Sequence, residues 1–197
     1  MIELIPVLGA VEIFGLLSGL LCVWLLVKQN IWTWAAATAY VLASLYVFYN
    51  ARLYANFGLH IVYLLMNFYG WYYWFKGGKR GESGLGVSRE SGKLMLFLSA
   101  LALILMFISG SLFAHYSDAR LPYLDNTVSM FSLLALWLQS RKKLESWILW
   151  LAIDALSIVI YYSQALYFYS LLYLVYVGLA IMGYRAWRKS MIHENPH

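Results

Sequence analysis

Residues 12–76 match residues 125–189 without a gap, at a shift of 113 positions. Glu12 falls on Asp125, Trp24 on Trp137, Lys28 on Arg141, Trp34 on Trp147, Leu53-Tyr54 on Leu166-Tyr167, Tyr63 on Tyr176, Gly70 on Gly183, Trp74 on Trp187 and Lys76 on Lys189. Each copy carries three long apolar stretches, and a further one lies between the copies. A duplicated three-helix unit of this hydrophobicity is the layout of a membrane transporter.

The residues available for a surface agree with that layout. Of the 197 residues, 63% are hydrophobic and 12% charged, against about 25% charged in a soluble domain. Too few polar groups remain to cover a water-facing exterior, so lipid must solvate much of the chain. The first apolar stretch has a counterpart in the second copy, so it reads as a retained helix rather than a cleaved signal. The net charge of +5 reads as loop charge in a membrane protein rather than as a nucleic-acid surface.

A helix needs about 20 apolar residues to cross the hydrocarbon. The expected fold is an all-α membrane domain of seven spans, at roughly 9–27, 31–49, 56–75, 94–115, 124–140, 146–163 and 167–187. Residues 9–76 form the first repeat, 94–115 a linker helix and 124–189 the second repeat, a 3+1+3 arrangement. Asn50-Ala51-Arg52 and Ser163-Gln164-Ala165 read as hairpin turns. The Gly- and Ser-rich segment 76–93 reads as a solvated linker. Its Gly86 and Gly92-Lys93 lack the spacing and the Ser or Thr of a phosphate loop, so no ATP-hydrolysing module is expected.

Twelve of the 14 lysines and arginines fall in one alternating set of loops, as at Lys28, Lys76 to Lys93, Arg141 to Lys143 and Arg185 to Lys189. Only Arg52 and Arg120 fall in the other. The positive-inside bias places the N-terminus outside and the C-terminus inside. The linker helix inverts the chain once more, so both triplets run the same way. Parallel triplets related by an axis along the membrane normal occur in small sugar transporters, and a substrate path would then lie between them.

Several polar and aromatic residues recur at helical spacing: His60, Tyr63, Asn67, Trp71 and Trp74 in the third span, Trp147, Trp150, Asp154 and Tyr161 in the sixth, and Tyr169, Tyr173 and Tyr176 in the seventh. Asp154 carries the most information. A carboxylate at a helix centre costs about 2.5–3.5 kcal/mol on insertion scales, so it faces a cavity or a partner. It is either a carboxyl joining two helices or an acceptor for a cationic or amino group. Nearby indoles favour the second role for a flat cation. His60 is either a satisfied core histidine or a hydrogen-bonding group for a heteroaromatic ring. Asn67 is either helix–helix glue or a donor and acceptor for an amide. Trp24, Trp32, Trp137 and Trp187, near span ends, read as an interfacial belt. Glu12 and Asp125 cap equivalent helices or attract cations at the outer mouth.

Catalysis has little support. Cys22 is the one cysteine, which excludes an intrachain disulfide and a cysteine metal site. His193 and His197 are in the C-terminal tail, and His60 and His115 have no neighbouring ligand pattern. No metal, cofactor or hydrolytic constellation is expected.

The segments Leu53-Tyr54-Ala55-Asn56-Phe57 and Asn67-Phe68-Tyr69-Gly70-Trp71-Tyr72-Tyr73-Trp74 resemble the signature of the PnuC-type vitamin transporters. So does Asp125 together with Ser140-Arg141-Lys142-Lys143-Leu144-Glu145-Ser146-Trp147-Ile148-Leu149-Trp150. The resemblance covers nearly the whole chain and is weakest in 76–93 and the fourth span. It implies a sugar-transporter-like 3+1+3 fold, a homotrimer in the bacterial inner membrane, and facilitated diffusion of a vitamin that a cytosolic kinase then traps. Members of the family differ in carrying nicotinamide riboside, thiamine or riboflavin. The nicotinamide riboside transporters tend to have Asn at the position of Asp154 and Gln at that of His60. Asp suits the amino group and ring nitrogen of an aminopyrimidine, and Trp147, Trp150 and Asp154 with Tyr54-Ala55-Asn56-Phe57-Gly58 resemble the thiamine branch. The resemblance therefore implies thiamine, with nicotinamide riboside as the alternative. In this reading Trp71, Trp147 and Trp150 wall in the ring, Asp154 reads the aminopyrimidine, and His60, Asn67 and Tyr161 complete the polar shell, with Tyr63 and Tyr173 beside it. A receptor or assembly protein is the alternative of another class.

Overall fold

The computed structural model describes residues 4–77, 85–116 and 121–194. Lys79, Arg80 and Arg120, which enter the charge asymmetry, and His197 lie outside these residues. Among the described residues there are seven helices: α1 (Leu4–Val27), α2 (Thr33–Asn50), α3 (Tyr54–Lys76), α4 (Gly92–Tyr116), α5 (Pro122–Ser140), α6 (Glu145–Ser163) and α7 (Tyr167–Glu194). Every expected span lies within one of them except 31–49, which starts two residues before α2. The largest difference is at the end of α7, where the helix continues past residue 187 to Glu194. Arg188, Lys189 and His193 make this last stretch polar, and helix formation does not require apolar residues as spanning does.

Among the described residues, four helices are by length and composition apolar enough to cross a membrane: α1 from Gly9, α4, α6, and α7 to His193. Helices α2, α3 and α5 dilute their apolar residues with Thr, Ser, Asn, Trp and Tyr. The chain divides into two compact units, Met1–Leu85 with α1–α3 and Gly86–His197 with α4–α7. In the first, α2 packs against both α1 and α3. In the second, α5 packs on α4 and α6, and α6 also on α7. Ala102, Leu134 and Leu138 form the buried centre of the α4–α5 contact, with Met95, Leu98 and Leu149 around them. Leu96, Phe97, Phe107 and Ile108 of α4 are exposed, the chemistry of a helix solvated by lipid.

The duplication extends to the backbone. Among the described residues, four non-glycine residues have positive φ, and they form two repeat-related pairs: Gln29 (55°) with Lys142 (50°), and Arg52 (59°) with Ala165 (58°). Left-handed residues of this kind close a helix by satisfying its last carbonyls. Asn30 N–H donates to Leu25 O, and its counterpart Lys143 N–H to Leu138 O, both at 2.9 Å. Leu53 N–H donates to Phe48 O, and Leu166 N–H to Tyr161 O, again at 2.9 Å. The two expected hairpins are therefore the same tight turn made twice.

Side-chain packing repeats as well. Trp34 meets Trp74 edge to face at 5.5 Å and 89°, and Trp147 meets Trp187 at 5.4 Å and 88°. A Cβ added at Gly70 would overlap the Trp34 indole, and one at Gly183 would overlap that of Trp147. The glycines let α3 and α7 close on the indoles of α2 and α6. Trp187, expected in an interfacial belt, is instead fully buried, because it completes this packing. Trp24 and Trp32 are exposed, as belt residues would be.

Residues 87–90 differ from the solvated linker expected of them. Ser88 N–H donates to Lys142 O at 3.1 Å, and Leu144 N–H to Ser88 O at 3.0 Å, a single parallel bridge onto the α5–α6 turn. Glu90 N–H donates to the Glu145 carboxylate at 3.1 Å. Lys143 Nζ reaches Arg89 O at 3.1 Å and the Glu90 carboxylate at 3.5 Å. Val87 is 2% exposed, so the strap is held by burial as well as by polar contacts. A turn with unsatisfied backbone groups gives a passing chain somewhere to pair.

Candidate substrate-binding site

In the second unit, Asp154 is buried in the middle of α6. Among the described residues no hydrogen bond or ion pair reaches its carboxylate. Ser157, on the same helix face, is also buried, and its Oγ has no hydrogen-bond partner among the described residues. Trp150, one turn before Asp154, is half-buried. Its indole Nε1–H donates to Gln139 Oε1 on α5 at 2.8 Å. A buried acceptor with no internal partner suits a cationic or hydrogen-donating ligand, since desolvating a charge costs several kcal/mol unless something pairs with it.

Trp147 has different surroundings. It is 2% exposed, set against Gly183 and Trp187 within its own repeat. Spacing puts Trp147 on the face of α6 that carries Trp150 and Asp154, yet its ring lies inside the α6–α7 packing. Tyr161 is stacked between Tyr169 (5.5 Å, 26°) and Tyr173 (5.3 Å, 15°), and Tyr173 meets the edge of Tyr176 at 5.8 Å. Of the expected residues, Trp150 and Asp154 thus share one helix face, and Tyr161 and Tyr173 share one stack.

In the first unit, His60 is buried among Phe48 (4.8 Å), Tyr63 (5.2 Å) and Tyr40 (6.3 Å). Its Nδ1 lies 2.9 Å from Asn56 O. A carbonyl only accepts, so Nδ1 carries the proton, and in the neutral ring Nε2 is the acceptor. Phe48, His60 and Tyr63 are the counterparts of Tyr161, Tyr173 and Tyr176, so each repeat builds a three-ring cluster at the same positions, centred on His60 in one and Tyr173 in the other. Asn67 is 3% exposed, and its Nδ2 has no partner among the described residues. Trp71 is half-buried. Glu12 and Asp125 are both exposed.

Two residues escaped sequence reasoning. Gln139 is hydrogen-bonded to Trp150, and Ser157 lies beside Asp154. The signal for Gln139 was a polar residue where the first repeat has Leu26. Ser157 had no such signal, because its counterpart is Ser44.

The chain resembles known proteins along most of its length. The "Nicotinamide riboside transporter PnuC" of Escherichia coli (strain K12) is 28% identical over 207 aligned positions, covering 93% of this chain and 87% of the relative. The "Riboflavin/roseoflavin transporter RibM" of Streptomyces davaonensis is 25% identical, with 89% and 83% covered. A crystal structure of the vitamin B3 transporter PnuC superposes with a TM-score of 0.74 at 22% identity, over 98% of this chain and 92% of that one, which shows a shared fold. The family profile described as "Nicotinamide mononucleotide transporter" matches residues 9–189. The chain belongs to this family of multi-pass membrane transporters for vitamins and is not an enzyme.

Proposed function

We propose that this transporter carries thiamine by facilitated diffusion through alternating access, and that a cytosolic kinase traps the vitamin by phosphorylating it. The observation that carries the substrate is Asp154, a buried carboxylate with no partner among the described residues, one helical turn from the half-buried indole of Trp150. An aminopyrimidine offers the donor that such a carboxylate accepts, and a positively charged ring is attracted to an indole face. His60, Asn67, Tyr63 and Trp71 on the first repeat, and Tyr161 and Tyr173 on the second, are the further proposed contacts. Trp147 contributes packing in this reading, since its ring is enclosed by its own repeat. The protein is a homotrimer in the bacterial inner membrane, N-terminus outside and C-terminus inside, in keeping with its 12 inner-side basic residues.

A second reading is nicotinamide riboside, favoured by the 28% identical relative of that name. It too has a positively charged aromatic ring, so Trp150 suits both, and Asp154 is what favours thiamine. Calorimetric titration of the purified protein with each vitamin separates the two: tighter binding of nicotinamide riboside would overturn the thiamine assignment. Counterflow in proteoliposomes tests the mechanism. Exchange of labelled vitamin without any ion gradient is expected, and a requirement for a sodium or proton gradient would contradict facilitated diffusion.

A further inference from the structure

The hydrogen bond between Gln139 and Trp150 exists in the second repeat and has no possible equivalent in the first. Gln139 is 5% exposed, and its Oε1 accepts the indole N–H at 2.8 Å. The residues 113 positions earlier are Leu26, which is also buried, and Ala37. The same replacement relates Asp154 to Val41. The Trp–Gly contacts and the left-handed turns, by contrast, are kept in both repeats. The fold is therefore served by Leu at this place, and burying an amide there is costlier than burying hydrocarbon. A polar pair that appears only in the repeat carrying Asp154 belongs to the asymmetric task.

We infer that Gln139 is a positioning residue for vitamin recognition, holding the Trp150 indole by its N–H in one orientation on the Asp154 face of α6. The inference rests on the proposed reading in which Trp150 and Asp154 contact the vitamin. An indole free to turn about its side-chain bonds must be ordered when the ligand arrives, and that ordering is subtracted from affinity. A ring fixed beforehand by an internal hydrogen bond avoids the loss. Gln139 acts on the ligand only through Trp150, and its influence vanishes when the indole N–H is absent.

The test is a double-substitution cycle on the purified full chain. Wild type is titrated calorimetrically with thiamine, nicotinamide riboside and riboflavin, and the tightest binder serves as probe. Gln139→Leu installs the residue of the first repeat, and Trp150→Phe removes the N–H. Each is expected to weaken binding about fivefold, as one neutral hydrogen bond is worth ~1 kcal/mol. The double variant is expected to bind within about twofold of Trp150→Phe alone. Melting temperatures of Gln139→Leu and Trp150→Phe show whether each variant is folded when its affinity is read. If Gln139→Leu does not fold, Gln139→Met replaces it at similar length. Wild-type affinity in the Gln139 variant, or effects that multiply in the double variant, would overturn the inference while leaving the site intact. Unchanged binding in both Trp150→Phe and Asp154→Asn, or a wild type that binds none of the three vitamins, would overturn the site reading and the inference with it.

Discussion

The indole of Trp147 occupies the space that any side chain at Gly183 would need. Trp34 stands in the same relation to Gly70, and each indole is closed from another direction by a second tryptophan at 5.4–5.5 Å. These contacts tie the second helix of each repeat to the third. The indole N–H of each is buried without a partner among the described residues. Leaving such a group unpaired costs about 1–3 kcal/mol, so close packing must supply more than that.

Gly183→Ala is therefore expected to lower stability by about 1–3 kcal/mol, the usual range for a methyl forced into a filled core. Gly178→Ala, on the same helix, is the control. A Cβ there meets nothing within 4 Å, and replacing a helical glycine by alanine is neutral or stabilising by about 0.5–1 kcal/mol. Thermal melting in detergent reads both. Equal melting temperatures for the two variants would refute the packing role.

Asp154→Asn is expected to weaken thiamine binding about 10–100-fold, because a hydrogen bond to a charged group contributes ~1.5–3 kcal/mol. Asp154→Val installs the first repeat's Val41. It should fold with equal or higher melting temperature, since a buried carboxyl gives way to hydrocarbon, and bind no measurable thiamine. Calorimetry alongside melting separates loss of ligand contact from loss of fold. Unchanged affinity in both variants would remove Asp154 from the site.

Helix positions were legible in the sequence because apolar runs and the charged gaps between them mark the helices directly. The hairpins at 50–52 and 163–165 were legible too, but not the left-handed φ of Gln29, Arg52, Lys142 and Ala165, since none is Gly or Asn. The strap was hidden for a different reason. Ser88 pairs with residues more than 50 positions away, and its Gly- and Ser-rich neighbourhood reads as solvated. On α6, helical spacing put Trp147, Trp150 and Asp154 on one face but did not separate packing from ligand contact. In the proposed reading the repeat separates them: Trp147 matches Trp34, whereas Trp150 and Asp154 match Ala37 and Val41.

Ser88→Pro should release the strap. Proline lacks the N–H that Ser88 donates to Lys142 O at 3.1 Å, and losing one such bond costs ~1 kcal/mol or more when the acceptor is stranded. Trypsin cleavage after Arg89 is then expected to accelerate about fivefold or more. Ser88→Ala keeps the backbone bond and should cleave like wild type. Equal cleavage of all three proteins would mean that the strap is not held by this bridge.

The last expectation concerns the central rings of the two equivalent clusters, His60 and Tyr173. His60 donates through Nδ1 to Asn56 O and is packed by Phe48 and Tyr63. His60→Phe should keep the ring packing, with stability within about 1.5 kcal/mol of wild type. Removing the Nε2 acceptor should weaken vitamin binding about five- to tenfold if the ring reads the ligand. The double variant His60→Gln, Asp154→Asn exchanges a carboxylate for amide groups that complement a carboxamide. Its ratio of thiamine to nicotinamide riboside affinity should fall at least tenfold, the factor expected from the lost carboxylate bond alone. Side-by-side titrations give the ratio, and an unchanged value would mean that these two positions do not set substrate choice.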